Sequence, residues 1–192
     1  MIRIAVIGDI GAGKSHIARL FRCPVFNADN EVAILYKKSK KCFAKLKKKL
    51  PKHITSFPVD KKELTQAIID SDHNLKKIIK IIHPQIRLKM FKFIKKNRNK
   101  KIIILDIPLL LEKKLNKKND ILIFVSAAKK EINRRLKKRA NFKPGIVAKF
   151  RKLQLPLEFK KKKCDYVIKN NFNNNFVKKS VKNIIKKILL NA

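Results

Sequence analysis

The chain has 192 residues, of which 45% are hydrophobic, and this is enough to bury the core of one globular domain. These values exclude a disordered tail protein. The longest apolar stretch, residues 102–111, is interrupted by Asp106 and Pro108 and is too short to span a membrane. The N-terminus does not resemble a signal peptide. Three scattered cysteines form neither a disulfide framework nor a metal-ligand spacing, so we expect a cytoplasmic protein.

The net charge of +38 has two possible origins: a polyanionic partner such as nucleic acid, or lysine enrichment from a biased base composition. Lysine supplies 42 of the 51 cations, and the cations are spread along the chain, with 15, 15 and 21 in successive thirds. A nucleic-acid-binding protein would usually concentrate them on one patch. We therefore expect no dedicated nucleic-acid or membrane partner, while a basic nucleic-acid-binding ATPase remains an alternative. The oligomeric state stays open.

In chain order, apolar runs typical of buried strands alternate with segments of helical periodicity, which predicts an α/β protein. We expect a five-stranded parallel sheet that is covered by helices on both faces. Pro84 should start or kink a helix within the long helical stretch. The predicted strands are 2–7, 25–27, 101–106, 121–126 and 166–169. The predicted helices are 14–21, one beginning at 31–36, the stretch 60–96, 129–139 and 177–190, with a break at 141–145.

The first predicted strand leads directly into residues 8–15, Gly-Asp-Ile-Gly-Ala-Gly-Lys-Ser, which match the phosphate-loop pattern G-x-x-x-x-G-K-[ST]. In such a loop, backbone N–H groups and a helix N-terminus surround a polyphosphate. Lys14 would reach the β and γ phosphates, and the Ser15 hydroxyl would hold Mg²⁺. Three of the four glycines in the chain fall within this segment, which indicates a local backbone requirement. ATP and Mg²⁺ are therefore the expected cofactors.

A kinase also needs a base near the acceptor hydroxyl and cations near the transferred group. Asp29 follows the second strand, where parallel sheets place ligand-facing groups, although it could instead be a helix N-cap. Arg135 and Arg139 are four residues apart and should share a helix face, either as lid cations or as a solvated pair. The break after them, with Gly145, is a candidate lid hinge.

Several motifs in order along almost the whole chain resemble the dephospho-coenzyme A kinase family. They are the loop at 8–15, Asn-Ala-Asp at 27–29, His-Pro at 83–84, Leu-Asp-Ile-Pro-Leu-Leu-Leu-Glu at 105–112, Arg-Leu-Lys-Lys-Arg at 135–139, Gln-Leu-Pro-Leu-Glu at 154–158 and Cys-Asp-Tyr-Val-Ile-Lys-Asn at 164–170. The resemblance implies a P-loop NTPase fold with a helical acceptor-binding insertion and a short lid. It also implies transfer of the γ-phosphoryl group of ATP to the ribose 3′-hydroxyl of dephospho-coenzyme A.

The resemblance also assigns roles to matched positions. His83 could instead make a structural contact that fixes the helix break at Pro84. The alternative enzyme is a nucleoside monophosphate kinase or another small-metabolite kinase. By resemblance, the catalytic residues are Asp29, Lys14, Arg135 and Arg139. The nucleotide-binding residues are Gly8, Gly11, Ala12, Gly13, Lys14, Ser15, His16 and Asn170. The acceptor-binding residues are Asp29, His83 and Pro108, and the Mg²⁺ ligands are Ser15 and Asp106. Asp106 would support the ion through water, or its carboxylate could instead position the loop.

Several positions depart from the family pattern, among them Asp9, Ala12, His16 and Asn27. Asp9 replaces the second glycine of the loop and brings a carboxylate near the polyphosphate, so we expect its side chain to point outward. Asn27 replaces the first acid of the family's Asp-Ala-Asp, and His16 replaces a threonine. As a layout we predict a single domain over 1–192. Its core would comprise 1–36, 101–140 and 154–192, with an acceptor-binding insertion at about 37–100 and a lid at about 140–153.

Overall fold

The computed structural model describes residues 1–140 and 142–190. The chain divides into two compact units. The sheet unit comprises Met1–Asn27, Asn97–Lys143 and Phe150–Ala192, and the helical unit comprises Ala28–Lys96 and Pro144–Lys149. The helical unit therefore begins nine residues earlier than the predicted insertion and also takes in part of the predicted lid.

The secondary structure alternates strands and helices as the sequence predicts. The strands are β1 (Ile2–Gly8), β2 (Val25–Asn27), β3 (Ile102–Asp106), β4 (Ile121–Ser126) and β5 (Tyr166–Lys169). The helices are α1 (Lys14–Leu20), α2 (Ala28–Lys38), α3 (Lys40–Lys49), α4 (Lys61–Asp70), α5 (Asp72–Lys96), α6 (Lys129–Lys137), α7 (Pro144–Lys152), α8 (Leu157–Lys162) and α9 (Asn174–Leu190).

The sheet unit is built on a five-stranded parallel sheet in the order β2-β3-β1-β4-β5. Consecutive residues from Ile4 to Ile7 in β1 are at most 4% exposed, and Ile103 to Leu105 in β3 are fully buried. Successive strand residues point to opposite faces, so both faces of the central strands are covered. Helix α1 packs on β1 and β3, α8 on β1, and α9 on β5. The prediction of a parallel sheet covered by helices is confirmed.

The helical unit is organised around α5, which contacts α2, α3 and α4. Its buried face carries Leu75, Ile78, Ile82, Ile86 and Met90 at helical spacing. The helix continues through Pro84, which lies at an exposed position, so Pro84 does not start a helix; a kink there stays a prediction. Helix α3, like α7 and α8 elsewhere in the chain, is an element that was not predicted from the sequence. None of the helices within 1–140 and 142–190 is long and apolar enough to cross a membrane.

Candidate functional site

The loop between β1 and α1 has the backbone geometry that its glycines predict. Gly13 is the N-cap of α1 and has a φ of 92°, a left-handed value that side chains disfavour. A Cβ atom at Gly13 would also collide with the side-chain nitrogen of Asn170. Glycine is therefore required there both by the backbone conformation and by close packing.

Lys14 and Asp9 are both buried in this loop. The Lys14 ammonium donates a hydrogen bond of 2.8 Å to the backbone carbonyl of Asp9. The Asp9 side chain does not point outward as expected. Asp9 is 6% exposed, and its two carboxylate oxygens accept hydrogen bonds from the Arg151 guanidinium at 3.2 and 3.0 Å. The structure thus places a neutralised carboxylate, and not an exposed one, next to the loop lysine.

Ser15 and Asp106, the two predicted Mg²⁺ ligands, are brought together by Asn27. Asn27 and Asp106 are register partners at the carboxyl ends of β2 and β3, and Asp106 is 2% exposed. The Asn27 side-chain amide donates hydrogen bonds to the Asp106 carboxylate and, at 3.4 Å, to the Ser15 hydroxyl. The neutral residue that replaces an acid of the family pattern therefore links the two oxygen donors. Sequence analysis noted the substitution but did not predict this role.

These donors fit a Mg²⁺ ion of the kind that kinases bind. Mg²⁺ prefers oxygen ligands and is usually held by one or two protein groups together with waters and substrate phosphates. The Ser15 hydroxyl and the Asp106 carboxylate supply two such groups beside the phosphate loop. Within 1–140 and 142–190, no group of three or more His, Cys, Asp or Glu side chains forms a metal cage of protein ligands.

Asn170, a predicted nucleotide-binding residue, directly follows β5 and lies against the phosphate loop. It is 4% exposed; its amide donates to the Ala12 carbonyl at 2.8 Å, and its side-chain oxygen accepts from the Phe172 N–H at 2.9 Å. The Phe172 ring lies 4.4 Å from the Arg135 guanidinium carbon, a cation–π distance. Asn170 thus supports the phosphate loop, and Arg135 is positioned by an aromatic ring that sequence analysis missed.

The second predicted lid cation, Arg139, differs from the expectation. Helix α6 ends at Lys137, so Arg139 lies in the following turn and not on the helix face that carries Arg135. Its backbone N–H donates to the Leu136 carbonyl at 3.1 Å. Arg135 and Arg139 can therefore act on one ligand only if the turn after α6 brings Arg139 towards Arg135.

His16, a predicted nucleotide-binding residue, is exposed, and its Nε2 lies 3.2 Å from the Asn174 side-chain oxygen.

The predicted acceptor residues are placed on separate elements. Asp29 is exposed in the first turn of α2. Because α2 begins at Ala28, Asp29 is the second residue of the helix and not the residue that precedes it. His83 is half-buried in the middle of α5 and precedes Pro84. Pro108 is half-buried in the turn after β3. Their acceptor-binding roles remain predictions.

A buried ion pair connects two of the motifs that carry the family resemblance. Lys160 is 0% exposed, and its ammonium lies 2.7 Å from a Glu112 carboxylate oxygen and 3.1 Å from the Gln154 side-chain oxygen. The same Glu112 oxygen accepts a hydrogen bond of 3.0 Å from the Leu155 N–H. The segment after β3 is thereby joined to the segment that precedes α8.

The three cysteines are free thiols, and burial raises the pKa of each of them. The pKa of Cys164 is raised to about 12 by burial, with a further contribution from the neighbouring Asp165 carboxylate. Because the thiolate is the nucleophile, these residues do not supply one near neutral pH. None of the three thiols is therefore a candidate nucleophile near neutral pH.

Comparison with known proteins places these features in context. Residues 2–175 match the family model of dephospho-CoA kinase (CoaE). The dephospho-CoA kinase of Wolbachia sp. subsp. Brugia malayi is 30% identical over 98% of this chain and 99% of its own length. TT1252 from Thermus thermophilus is 25% identical with a TM-score of 0.75, covering 97% of both chains. Dephospho-CoA kinase from Campylobacter jejuni shares the fold, with a TM-score of 0.63 and 19% identity over 98% of both chains.

Proposed function

The chain belongs to the dephospho-CoA kinase family, and from that premise we propose that it transfers the γ-phosphoryl group of ATP to the ribose 3′-hydroxyl of dephospho-CoA. The products are CoA and ADP. The observation that carries the proposal is the loop at 8–15, in which left-handed glycines and a buried lysine form a phosphate-binding backbone beside paired oxygen donors. Such a loop fits a nucleoside triphosphate, and membership of the family indicates that dephospho-CoA is the acceptor.

The loop holds the polyphosphate through its backbone N–H groups and Lys14. Lys14 is held on the Asp9 carbonyl in this structure. On nucleotide binding, the Lys14 ammonium would replace its hydrogen bond to the carbonyl with one to a phosphate oxygen. Because the side chain is already held in the loop, it would lose little further conformational entropy. Arg135, stacked on Phe172, adds a fixed guanidinium that neutralises charge on the transferred group. Arg139 is the second such cation in this proposal.

Mg²⁺ is proposed as the metal of this site, with Ser15 and Asp106 as the residues that would hold it. When bound, the ion neutralises phosphate charge and polarises the phosphoryl group. Asn27 fixes the Ser15 hydroxyl and the Asp106 carboxylate before any ion arrives. A cytoplasmic location is also proposed, in keeping with the three free thiols.

Asp29 is the proposed base or orienting carboxylate for the acceptor hydroxyl, and His83 and Pro108 are proposed acceptor contacts. The test is Asp29→Asn, which keeps the shape of the side chain and removes its charge. We expect kcat for dephospho-CoA phosphorylation to fall about 100-fold or more, which is the usual size of a general-base contribution. ADP affinity, measured by calorimetry, should change less than twofold, because the nucleotide loop is intact.

The matched control is Glu31→Gln, which removes the other acidic group of the first turn of α2 and its ion pair with Lys89. Its turnover should stay close to that of the unmodified protein. Equal losses in both variants would mean that Asp29 acts only through the charge of the helix terminus. Near-normal turnover of Asp29→Asn would reject its role as base.

A further inference from the structure

Asp9 and Arg151 form a two-point ion pair across 142 residues of sequence. The guanidinium donates from two nitrogens to two carboxylate oxygens, the geometry that most favours an arginine–carboxylate pair. The Arg151 side chain is 40% exposed, whereas that of Asp9 is 9% exposed. A partly exposed arginine of α7 thus pairs with a carboxylate that is almost completely buried in the phosphate loop.

The position of Asp9 makes this pair matter for an anionic ligand. Asp9 immediately follows Gly8, and its carbonyl accepts the hydrogen bond from Lys14. One of its carboxylate oxygens also accepts from the adjacent Ile10 N–H at 2.7 Å. A carboxylate here is oriented by the loop itself and stands close to any polyphosphate that the loop holds. Left unpaired, it would repel that anion and would be costly to bury.

We propose that Arg151 is a positioning residue for nucleotide binding. It cancels the charge of Asp9, a residue of the phosphate loop whose carbonyl also accepts the hydrogen bond from Lys14. Arg151 therefore acts through Asp9 and does not need to contact the nucleotide. The inference rests on the proposed function only in requiring that the loop binds a nucleoside polyphosphate, whichever acceptor is used.

Binding of ADP to the full chain, measured by titration calorimetry, tests this role without involving the acceptor. We expect Arg151→Ala to raise the dissociation constant of ADP about tenfold or more, or about 1.4 kcal/mol. The decisive variant is Asp9→Asn combined with Arg151→Ala. It removes the unpaired charge, keeps a polar side chain for the Ile10 N–H, and should restore affinity to within about threefold. Asp9→Asn alone should change affinity little.

Lys152→Ala is the matched control, because it removes one exposed cation from the same end of α7. Its ADP affinity should change less than twofold, which separates the local pair from the overall positive field. Arg151→Lys keeps the charge without the two-point geometry and should show an intermediate loss. It also provides a binding measurement if Arg151→Ala does not fold.

Two outcomes would overturn the proposal. One is unchanged ADP affinity in Arg151→Ala and Arg151→Lys. The other is a double variant as weak as Arg151→Ala alone, which would mean that Arg151 packs structurally or contacts the nucleotide directly. A failure to phosphorylate dephospho-CoA with normal ADP binding would instead reject the proposed acceptor and leave this result intact.

Discussion

The buried ion pair of Lys160 and Glu112 allows a quantitative prediction of its contribution to the free energy of unfolding. Lys160→Met removes the ammonium, retains most of the aliphatic stem, and keeps the hydrogen bond from the Leu155 N–H to the Glu112 carboxylate. At 2.7 Å and an effective dielectric constant of about 20, the attraction is about 6 kcal/mol. Desolvation of both charges offsets much of this, but removing one partner leaves a buried charge unpaired.

We therefore expect Lys160→Met to lower the free energy of unfolding by about 3–5 kcal/mol. For a chain of this length, that corresponds to a fall in melting temperature of about 6–20 °C. Circular dichroism during thermal and urea denaturation measures both quantities. Lys161→Met is the control, because the neighbouring lysine is exposed, and its effect should stay within about 0.5 kcal/mol.

The combination of Lys160→Met with Glu112→Gln isolates the charge from the packing. The glutamine keeps an acceptor for the Leu155 N–H and removes the unpaired carboxylate, so we expect at least half of the lost stability to return. A single variant as stable as the unmodified chain would refute the reasoning. A double variant no more stable than the single one would show that the loss does not come from the unpaired charge of Glu112.

Two further predictions concern the loop glycines and the thiols. A Cβ atom at Gly8 would lie 2.6 Å from the Val125 carbonyl oxygen, so Gly8→Ala should weaken ADP binding more than tenfold. The steric control is Gly145→Ala, whose added carbon meets nothing within 4 Å in the first turn of a helix, and which should leave stability equal or higher. Because its pKa is raised to about 12, Cys164 should be alkylated slowly in the folded protein at pH 8 to 9. Unfolding should restore the reactivity of an ordinary thiol, and rapid alkylation without unfolding would contradict this.

Sequence analysis located the strands well, because apolar runs stand out in a lysine-rich chain; β2, β4 and β5 have the predicted bounds. Helices were less predictable. Helix α3 buries mainly Cys42 and Leu46, too few apolar residues for a clear periodic signal. A helix start at Pro84 was wrong: the helix continues through the proline, which is exposed, and the carbonyl that it deprives of a donor, that of Lys80, is also on the exposed side of α5. Water can satisfy that carbonyl.

The candidate site shows the same division between local and distant information. Lys14 and Ser15 were found because the phosphate loop is a contiguous motif. Arg151 was not, because its partner is 142 residues away. Lys160 is one of 42 lysines, and only its burial distinguishes it. Among the described residues the buried cations are Arg3, Lys14 and Lys160, which fits the expectation that most of the +38 charge is solvated surface.

The most direct measurement of the central claim is the specificity constant kcat/KM for competing acceptors with ATP in one assay. Dephospho-CoA and AMP would be compared, with duplex DNA added to a parallel reaction. We expect at least a 100-fold preference for dephospho-CoA, one CoA formed per ADP, and no stimulation by DNA. Equal or better use of AMP, or DNA-stimulated ATP hydrolysis without CoA, would contradict the proposed function.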